Sequence, residues 1–278
     1  MTFNELLKKL NPLNDWYIQK VLKDLIIFNS KIIENSSDIF FERDTEIDFN
    51  YKKITKQLNK VIIKNYPVNY ITKSFWFYGL EFKIKKGVFV PRQETEFIFD
   101  WIVNQKLFCN CKNFLDLCSG SGILANSISY ILKNQDVSVI GVEKFLKPYK
   151  IAVKNAKIYN LKTKFIKADI FEINKSIYEK SDFIICNPPY ISIDDKNVDK
   201  STKKEPKSAL FASEKGFYFY FNFINKIFPI LKEGTKIIFE IGFNQKQELE
   251  KFLIEKKIKN FTFLKDLNKF NRVLYIVK

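Results

Sequence analysis

Four short strand-like runs, at residues 114–117, 137–142, 163–167 and 183–186, constrain the fold of this chain more than any other feature. The first leads into a segment that reads as a helix from near Ile123, and the second into one that opens at Pro148 and runs towards Asn160. Strands alternating with helices predict a mostly parallel sheet, and ligands of such sheets sit beyond the C-terminal strand ends. Each run delivers residues suited to that place: Cys118-Ser119-Gly120-Ser121-Gly122 after the first, Glu143 after the second, Asp169 and Ile170 after the third, Asn187 after the fourth. Any one of them alone is accounted for as a cap or a solvated acid. Four in succession point to a binding site.

The glycines of the first turn let a ligand approach the backbone, and the helix start offers N–H groups to a carboxylate. The turn is not the GxGxxG dinucleotide fingerprint, and without Gly-Lys-Ser/Thr it is not a phosphate-cradling loop either. Glu143 is placed to accept both hydroxyls of a ribose. Asp169 is placed to accept from an adenine amine, with Ile170 packed on the base. S-adenosylmethionine has all of these parts and is the expected cofactor. Its sulfonium methyl is the electrophile that Asn187-Pro188-Pro189-Tyr190 would face. The lone pair of an amide or of an exocyclic base amine is delocalised, so such a nitrogen hardly attacks unaided. The Asn187 side-chain oxygen is one acceptor for its two N–H groups, a backbone carbonyl beside the prolines is the other, and Tyr190 is expected to lie flat on the planar group.

Composition closes other routes. The chain has no histidine, which excludes serine-histidine triads and zinc sites built on HExxH or Cys2His2. A sulfonium is already an activated leaving group, so its chemistry needs no imidazole acid. Cys109, Cys111, Cys118 and Cys186 include no CxxC pair and read as thiols in a reducing compartment, with no metal expected. A net charge of +16 suits electrostatic association with a ribosome or RNA, yet lysine is abundant everywhere, as AT-biased coding produces, and does not condense into one patch. No apolar stretch approaches the length of a membrane span, and Lys8 and Lys9 interrupt the start too early for a signal peptide. The expectation is a soluble cytoplasmic protein without membrane contact.

Residues 1–72 read as a small helical domain. Asn14 or Asp15 caps a segment with Trp16, Tyr17, Val21, Leu22, Leu25 and Ile26 at helical spacing, and Asp48 caps another carrying Ile54, Leu58, Val61 and Ile62. Residues 73–92 read as a β-hairpin linker turning near Gly79, and 93–278 as the binding domain, its first helix started by Glu94 or Thr95. Past Asn187, residues 191–204 are polar and expected to form a mobile surface segment. Helices over 216–231 and 245–256 flank a strand over 236–242, and strands over 261–264 and 273–277 complete the sheet as an antiparallel closing pair.

Phe89-Val90-Pro91-Arg92-Gln93-Glu94-Thr95-Glu96, Leu115-Asp116-Leu117-Cys118-Ser119-Gly120-Ser121-Gly122, Asn187-Pro188-Pro189-Tyr190-Ile191, Glu205-Pro206 and Glu240-Ile241-Gly242, in that order, resemble the release-factor glutamine N5-methyltransferase family over nearly the whole chain. The resemblance implies an α/β fold: a Rossmann-like class I methyltransferase sheet with a small N-terminal helical domain and a hairpin linker. It implies methylation, from S-adenosylmethionine, of the glutamine side-chain amide in the Gly-Gly-Gln loop of peptide chain release factors. Carried over residue by residue, Asp116, Cys118 to Gly122, Glu143, Asp169, Ile170 and Asn187 hold the cofactor, Asn187 to Tyr190 hold the glutamine, and Asn187, Pro188 and Tyr190 serve catalysis. Three positions depart from the family pattern: Gln93 where proline is usual, Cys118 where glycine is frequent, and Glu143 where aspartate is common. Adenine-N6 DNA methylation shares the Asn-Pro-Pro-Tyr logic but lacks a target-recognition region here. Guanine-N2 methylation of ribosomal RNA stays open, and a ribosome-associated binding module without turnover sits poorly with an intact Asn187.

Overall fold

The computed structural model describes residues 2–30, 50–195, 198, 200 and 202–278. They fall into two compact units, Met1–Ser74 with Asp199–Lys204, and Phe75–Val198 with Glu205–Lys278. Among the described residues no helix is long and apolar enough to cross a membrane.

The smaller unit is helical because its helix starts are capped and its apolar stripes meet. α1 (Phe3–Leu10) begins in a capping box, where the Glu5 N–H donates to Thr2 Oγ1 at 3.1 Å and the Thr2 N–H to Glu5 Oε2 at 2.9 Å. Asp15 caps α2 (Trp16–Asn29) by accepting from the Ile18 N–H at 2.9 Å. Asp48 lies outside the described residues, and α3 (Tyr51–Ile62) is capped by Asn50, which accepts from the Lys53 N–H at 3.0 Å. A four-residue turn, α4 (Asn69–Thr72), follows. Phe3, Leu6, Val21, Leu22, Leu25, Ile26, Ile54, Leu58 and Val61 form the core. At about 1.5–3 kcal/mol per large side chain buried, this packing rather than propensity holds such short helices. Trp16 and Tyr17, expected in that stripe, are 67% and 49% exposed. With about 3.6 residues per turn they fall outside the arc through Val21, Leu22, Leu25 and Ile26, and Ile18 packs there instead. Lys52, Lys56, Lys60 and Lys64 recur at helical-turn spacing on exposed positions of α3 and the residues after it, so some of the charge does gather.

The larger unit starts at Phe75, within β1 (Ser74–Phe77), which is followed by β2 (Leu80–Lys83); the two are joined through Tyr78 and Gly79, both at positive φ, as a two-residue hairpin turn requires. There follow α5 (Gln93–Asn104), β3 (Asn113–Leu117), α6 (Ile123–Ile131), β4 (Ser138–Val142), α7 (Leu146–Ile158), β5 (Lys164–Ile166), α8 (Lys175–Lys180) and β6 (Phe183–Cys186). Then come β7 (Ile191–Ser192), β8 (Phe211–Ala212), α9 (Tyr218–Lys226), β9 (Lys236–Glu240), α10 (Lys246–Glu255), β10 (Phe261–Lys265) and β11 (Asn271–Val277). The main sheet has seven strands in the order β10-β11-β9-β6-β3-β4-β5. β5, β4, β3, β6 and β9 are parallel, and β11 runs antiparallel between β9 and β10. This is the expected Rossmann-like sheet with its antiparallel closing pair.

Local departures have local causes. α5 starts at Gln93 with no side-chain cap, and Thr95, expected to start it, sends its hydroxyl elsewhere. Pro148 is the third residue of α7, not the first. The helix expected over 216–231 contracts to α9, flanked by 3-10 turns at Glu214–Gly216 and Phe228–Ile230. The segment after the prolines opens as β7, paired parallel with β8, while Lys196, Asn197, Asp199 and Ser201 lie outside the described residues. β2 is held by side chains of α7 and of Tyr159 just past its end, acting as a strand partner. The Lys83 N–H donates to Asn155 Oδ1 at 2.8 Å, Asn155 Nδ2 returns a bond to the Lys83 carbonyl at 3.1 Å, and the Tyr159 hydroxyl does the same for Glu81. Asn155 Nδ2 also donates to the Ser121 carbonyl at 2.9 Å, tying the hairpin to the glycine turn.

Candidate active site

Central β3 pairs with β4 on one side and β6 on the other, the switch point at which parallel sheets bind ligands. A cavity of about 560 Å³ lies there, within the range of small-molecule sites. Of the residues expected in a site, Asp116, Cys118, Ser119, Gly120, Ser121, Glu143, Asp169, Ile170, Asn187 and Pro189 line it. Gly122, Pro188 and Tyr190 do not. Gly122, at φ +75°, has Ala152 Cβ and Phe165 Cζ each 2.7 Å from where its own Cβ would stand, so it lacks a side chain for close packing rather than for ligand approach.

The glycine turn is folded around acids. The Ser119 hydroxyl donates to the Asp116 carbonyl at 2.8 Å, and the Ala125 N–H, in the first turn of α6, donates to Asp116 Oδ2 at 3.1 Å. The chain's own carboxylate thus takes an N–H that a ligand carboxylate was expected to find. Asp116 Oδ1 is buried and has no partner among the described residues. Burial pushes this carboxyl up to about 7, against the bond from the Ala125 N–H and with a small push from Glu143. Cys118 sits at φ +57°, the left-handed region that explains why glycine suits this position.

Register sets the next residue in place. Leu117 pairs with Val142, which brings Glu143 beside the turn, where its Oε2 accepts from the Gly120 N–H at 2.9 Å and its Oε1 from the Phe145 N–H at 2.7 Å. Burial raises its carboxyl above the usual range, and the N–H groups of Phe145, Gly120 and Lys144 restrain the rise. A carboxylate has about four lone-pair sites, so acceptor capacity remains for a diol. Asp169 accepts from Lys144 Nζ at 2.9 Å and from the Phe171 N–H at 3.0 Å. Burial pushes it up, but the Phe171 N–H and Lys144 outweigh burial and hold it below the usual range.

On the far side, Cys186 of β6 pairs with Phe239 of β9, so Asn187 and Glu240 emerge side by side. Asn187 Nδ2 donates to Glu240 Oε2 at 2.8 Å and to Thr95 Oγ1 at 3.3 Å. The Thr95 hydroxyl donates to the same Oε2 at 2.7 Å, and the Tyr190 hydroxyl to Oε1 at 3.2 Å. Glu240 is buried, which raises its carboxyl; Thr95, the Arg272 charge and Tyr190 restrain it, while Glu94 adds to it. Tyr190 is therefore anchored by its hydroxyl at Glu240. Its backbone is braced too: Gln245 Nε2 donates to the carbonyls of Tyr190 (3.1 Å) and Gly216 (3.2 Å), while Gln245 Oε1 accepts from the Gly242 N–H at 2.8 Å.

The Phe89–Glu96 stretch reaches the cavity through Phe89, Pro91 and Thr95. Buried Glu205 holds it, accepting from the Val90 N–H at 2.9 Å and pairing with Arg92 at 2.5 Å. Gln93 follows this clamp as an exposed residue. Glu240 and Gln245 had no assigned role in the sequence, and Thr95 was read only as a helix start. The strand-end rule that found Glu143 and Asp169, applied to β9, points to Glu240.

The Methyltransferase small domain family matches residues 80–208. A release factor glutamine methyltransferase from Mycoplasma mycoides subsp. mycoides is 36% identical over 270 residues, covering 90% of this chain and 95% of that protein. One from Clostridium botulinum is 31% identical over 281 residues, covering 91% of this chain and 98% of that protein. In fold alone, the crystal structure of a methyltransferase from Pyrococcus furiosus is similar with a TM-score of 0.53, at 16% identity over 83% of this chain and 99% of that one.

Proposed function

This chain belongs to the release factor glutamine methyltransferase family, and from that membership we propose that it transfers a methyl group from S-adenosylmethionine to the side-chain amide nitrogen of the glutamine in the Gly-Gly-Gln loop of peptide chain release factors. One observation carries the reading: Asn187 spends its amide nitrogen on Glu240 and Thr95, which leaves its oxygen on the opposite edge to accept from a planar NH2 group.

The residues present fit the cofactor. Unpartnered Asp116 Oδ1 asks for a donor, which an amino acid ammonium supplies. Glu143 keeps acceptor capacity for a ribose diol, and Asp169 and Ile170, which line the cavity, are the residues we assign to the adenine. When bound, S-adenosylmethionine supplies an electrophilic methyl on a sulfonium leaving group. The chain itself aligns. Asn187 Oδ1 and a backbone carbonyl beside Pro188 accept the two N–H groups of the glutamine amide and hold its nitrogen towards the methyl, an orienting effect that reaches ~7–11 kcal/mol in favourable systems. In the net reaction that nitrogen gains a methyl and releases one proton to water.

The test is mass spectrometry of a purified release factor incubated with the enzyme and S-adenosylmethionine. One added methyl on the loop glutamine, surviving nuclease treatment of both proteins, is expected. Label appearing in RNA or duplex DNA with an unmodified release factor would refute the reading.

A further inference from the structure

We propose that Glu240 is a positioning residue for methyl transfer: its ionised carboxylate locks the Asn187 amide with the oxygen towards the acceptor nitrogen and strengthens that oxygen as a hydrogen-bond acceptor. The inference rests on the function proposed above and adds a residue that does not border the cavity.

The lock follows from counting hydrogens. The one Thr95 hydroxyl proton is directed to Glu240 Oε2 at 2.7 Å, so towards Asn187 the Thr95 oxygen only accepts. An ionised Glu240 accepts and never donates. The Asn187 edge facing both must be its NH2, because the flipped amide would set its oxygen 2.8 Å from a carboxylate oxygen. A protonated Glu240 removes that constraint, since its hydroxyl then donates to a flipped Asn187 Oδ1. Buried carboxylates are ordinarily a liability, and this one is matched by the donors of Thr95, Asn187 and Tyr190. The other groups that face it are Arg272 of β11, Glu94 of α5, the Cys186 thiol of β6 and Tyr220 of α9, whose hydroxyl donates to the Glu240 backbone carbonyl at 2.8 Å. Negative charge behind the Asn187 nitrogen polarises the amide towards its oxygen. Hydrogen-bonded chains reinforce one another in this way, and the effect grows as positive charge develops on the attacking nitrogen. Burial raises the Glu240 carboxyl, which moves loss of the lock to a higher pH than for an exposed glutamate.

The experiment pairs a substrate-free readout with kinetics. In the full-length protein, the Asn187 side-chain NH2 resonances, assigned by their loss in Asn187→Ala, should titrate in the wild type and stay flat in Glu240→Gln, which keeps shape and removes charge. In methyl transfer, Glu240→Gln should lower kcat about 10–100-fold, keep the cofactor Kd within about 3-fold, and lose the acid limb of the pH–kcat profile. Thr95→Val leaves the carboxylate but removes a donor to it, so its acid limb should move to higher pH. Glu240→Gln with wild-type kcat and an intact acid limb would overturn the inference, as would an unmoved limb in Thr95→Val. If Glu240→Gln does not fold, the Thr95→Val limb alone decides. A wild type that modifies no release factor, with NMR titration abolished in Glu240→Gln, would sink the proposed substrate and leave the coupling of Glu240 to Asn187 standing.

Discussion

Replacing Asp116 by asparagine should make the cofactor-free protein more stable at neutral pH and less competent. In the folded chain burial holds the Asp116 carboxyl at about 7, against 3.8 as its ordinary value. Between those values the folded chain keeps a proton that the unfolded chain has released, so raising the pH through this window works against folding. An interval of about three pH units at ~1.36 kcal/mol each gives roughly 4 kcal/mol lost from pH 4 to above pH 7, undiscounted for solvent because the group is fully buried. Asparagine has no such charge to bury. Like the protonated acid, it leaves a donor unpartnered at the Oδ1 position, so the two proteins should be close in stability at pH 4. Urea unfolding of both proteins from pH 4 to 8 is the assay. The stability difference, wild type minus variant, should fall by up to roughly 4 kcal/mol across the window, starting near zero and ending against the wild type. Asp24, raised to about 6 by burial in the smaller unit, titrates in both proteins and cancels. Parallel curves would show that Asp116 is ionised without strain in the folded protein. The same substitution should weaken S-adenosylmethionine binding about 10–100-fold, the value of a charge-assisted hydrogen bond of ~1.5–3 kcal/mol.

Glu143→Ala should weaken cofactor binding and also lower stability by roughly 1–3 kcal/mol, because the Gly120 and Phe145 N–H groups lose their acceptor; an unchanged dissociation constant by calorimetry would contradict the ribose assignment. Gly216→Ala should cut methyl transfer at least about 10-fold, since a Cβ there would stand 2.2 Å from the Tyr190 carbonyl oxygen at a φ of +92°, and a wild-type rate would mean that the Tyr190 backbone is not held as described. Gln93→Pro should raise stability by about 0.4–1 kcal/mol in thermal or urea unfolding, since Gln93 is the exposed first residue of α5 and proline suits that position; a loss would show that its N–H is needed.

The sequence by itself determined where the strands run and which residues cap their ends. A strand or a helix is written in the spacing of contiguous apolar residues, and a parallel sheet puts every strand's C-terminal end on one side. The turn after Cys118, Glu143, Asp169 and Asn187 were therefore legible as one site before any coordinates, as was the hairpin turn at Gly79, whereas Asp116, inside β3, entered only through the resemblance. What only the tertiary structure decided is who holds whom. Asn187 bonds to residues 53 and 92 positions away, and Arg92 to one 113 positions away. Those partnerships follow from the register of β6 on β9 and from the path of the segment before α5, which no local pattern encodes. The same holds for Gly122, whose missing side chain answers to Ala152 and Phe165, and for Trp16 and Tyr17, whose exposure depends on which arc of α2 meets its neighbours. Local spacing selects elements, whereas side-chain partners are chosen by distance in space, and that distance exists only once the sheet has assembled.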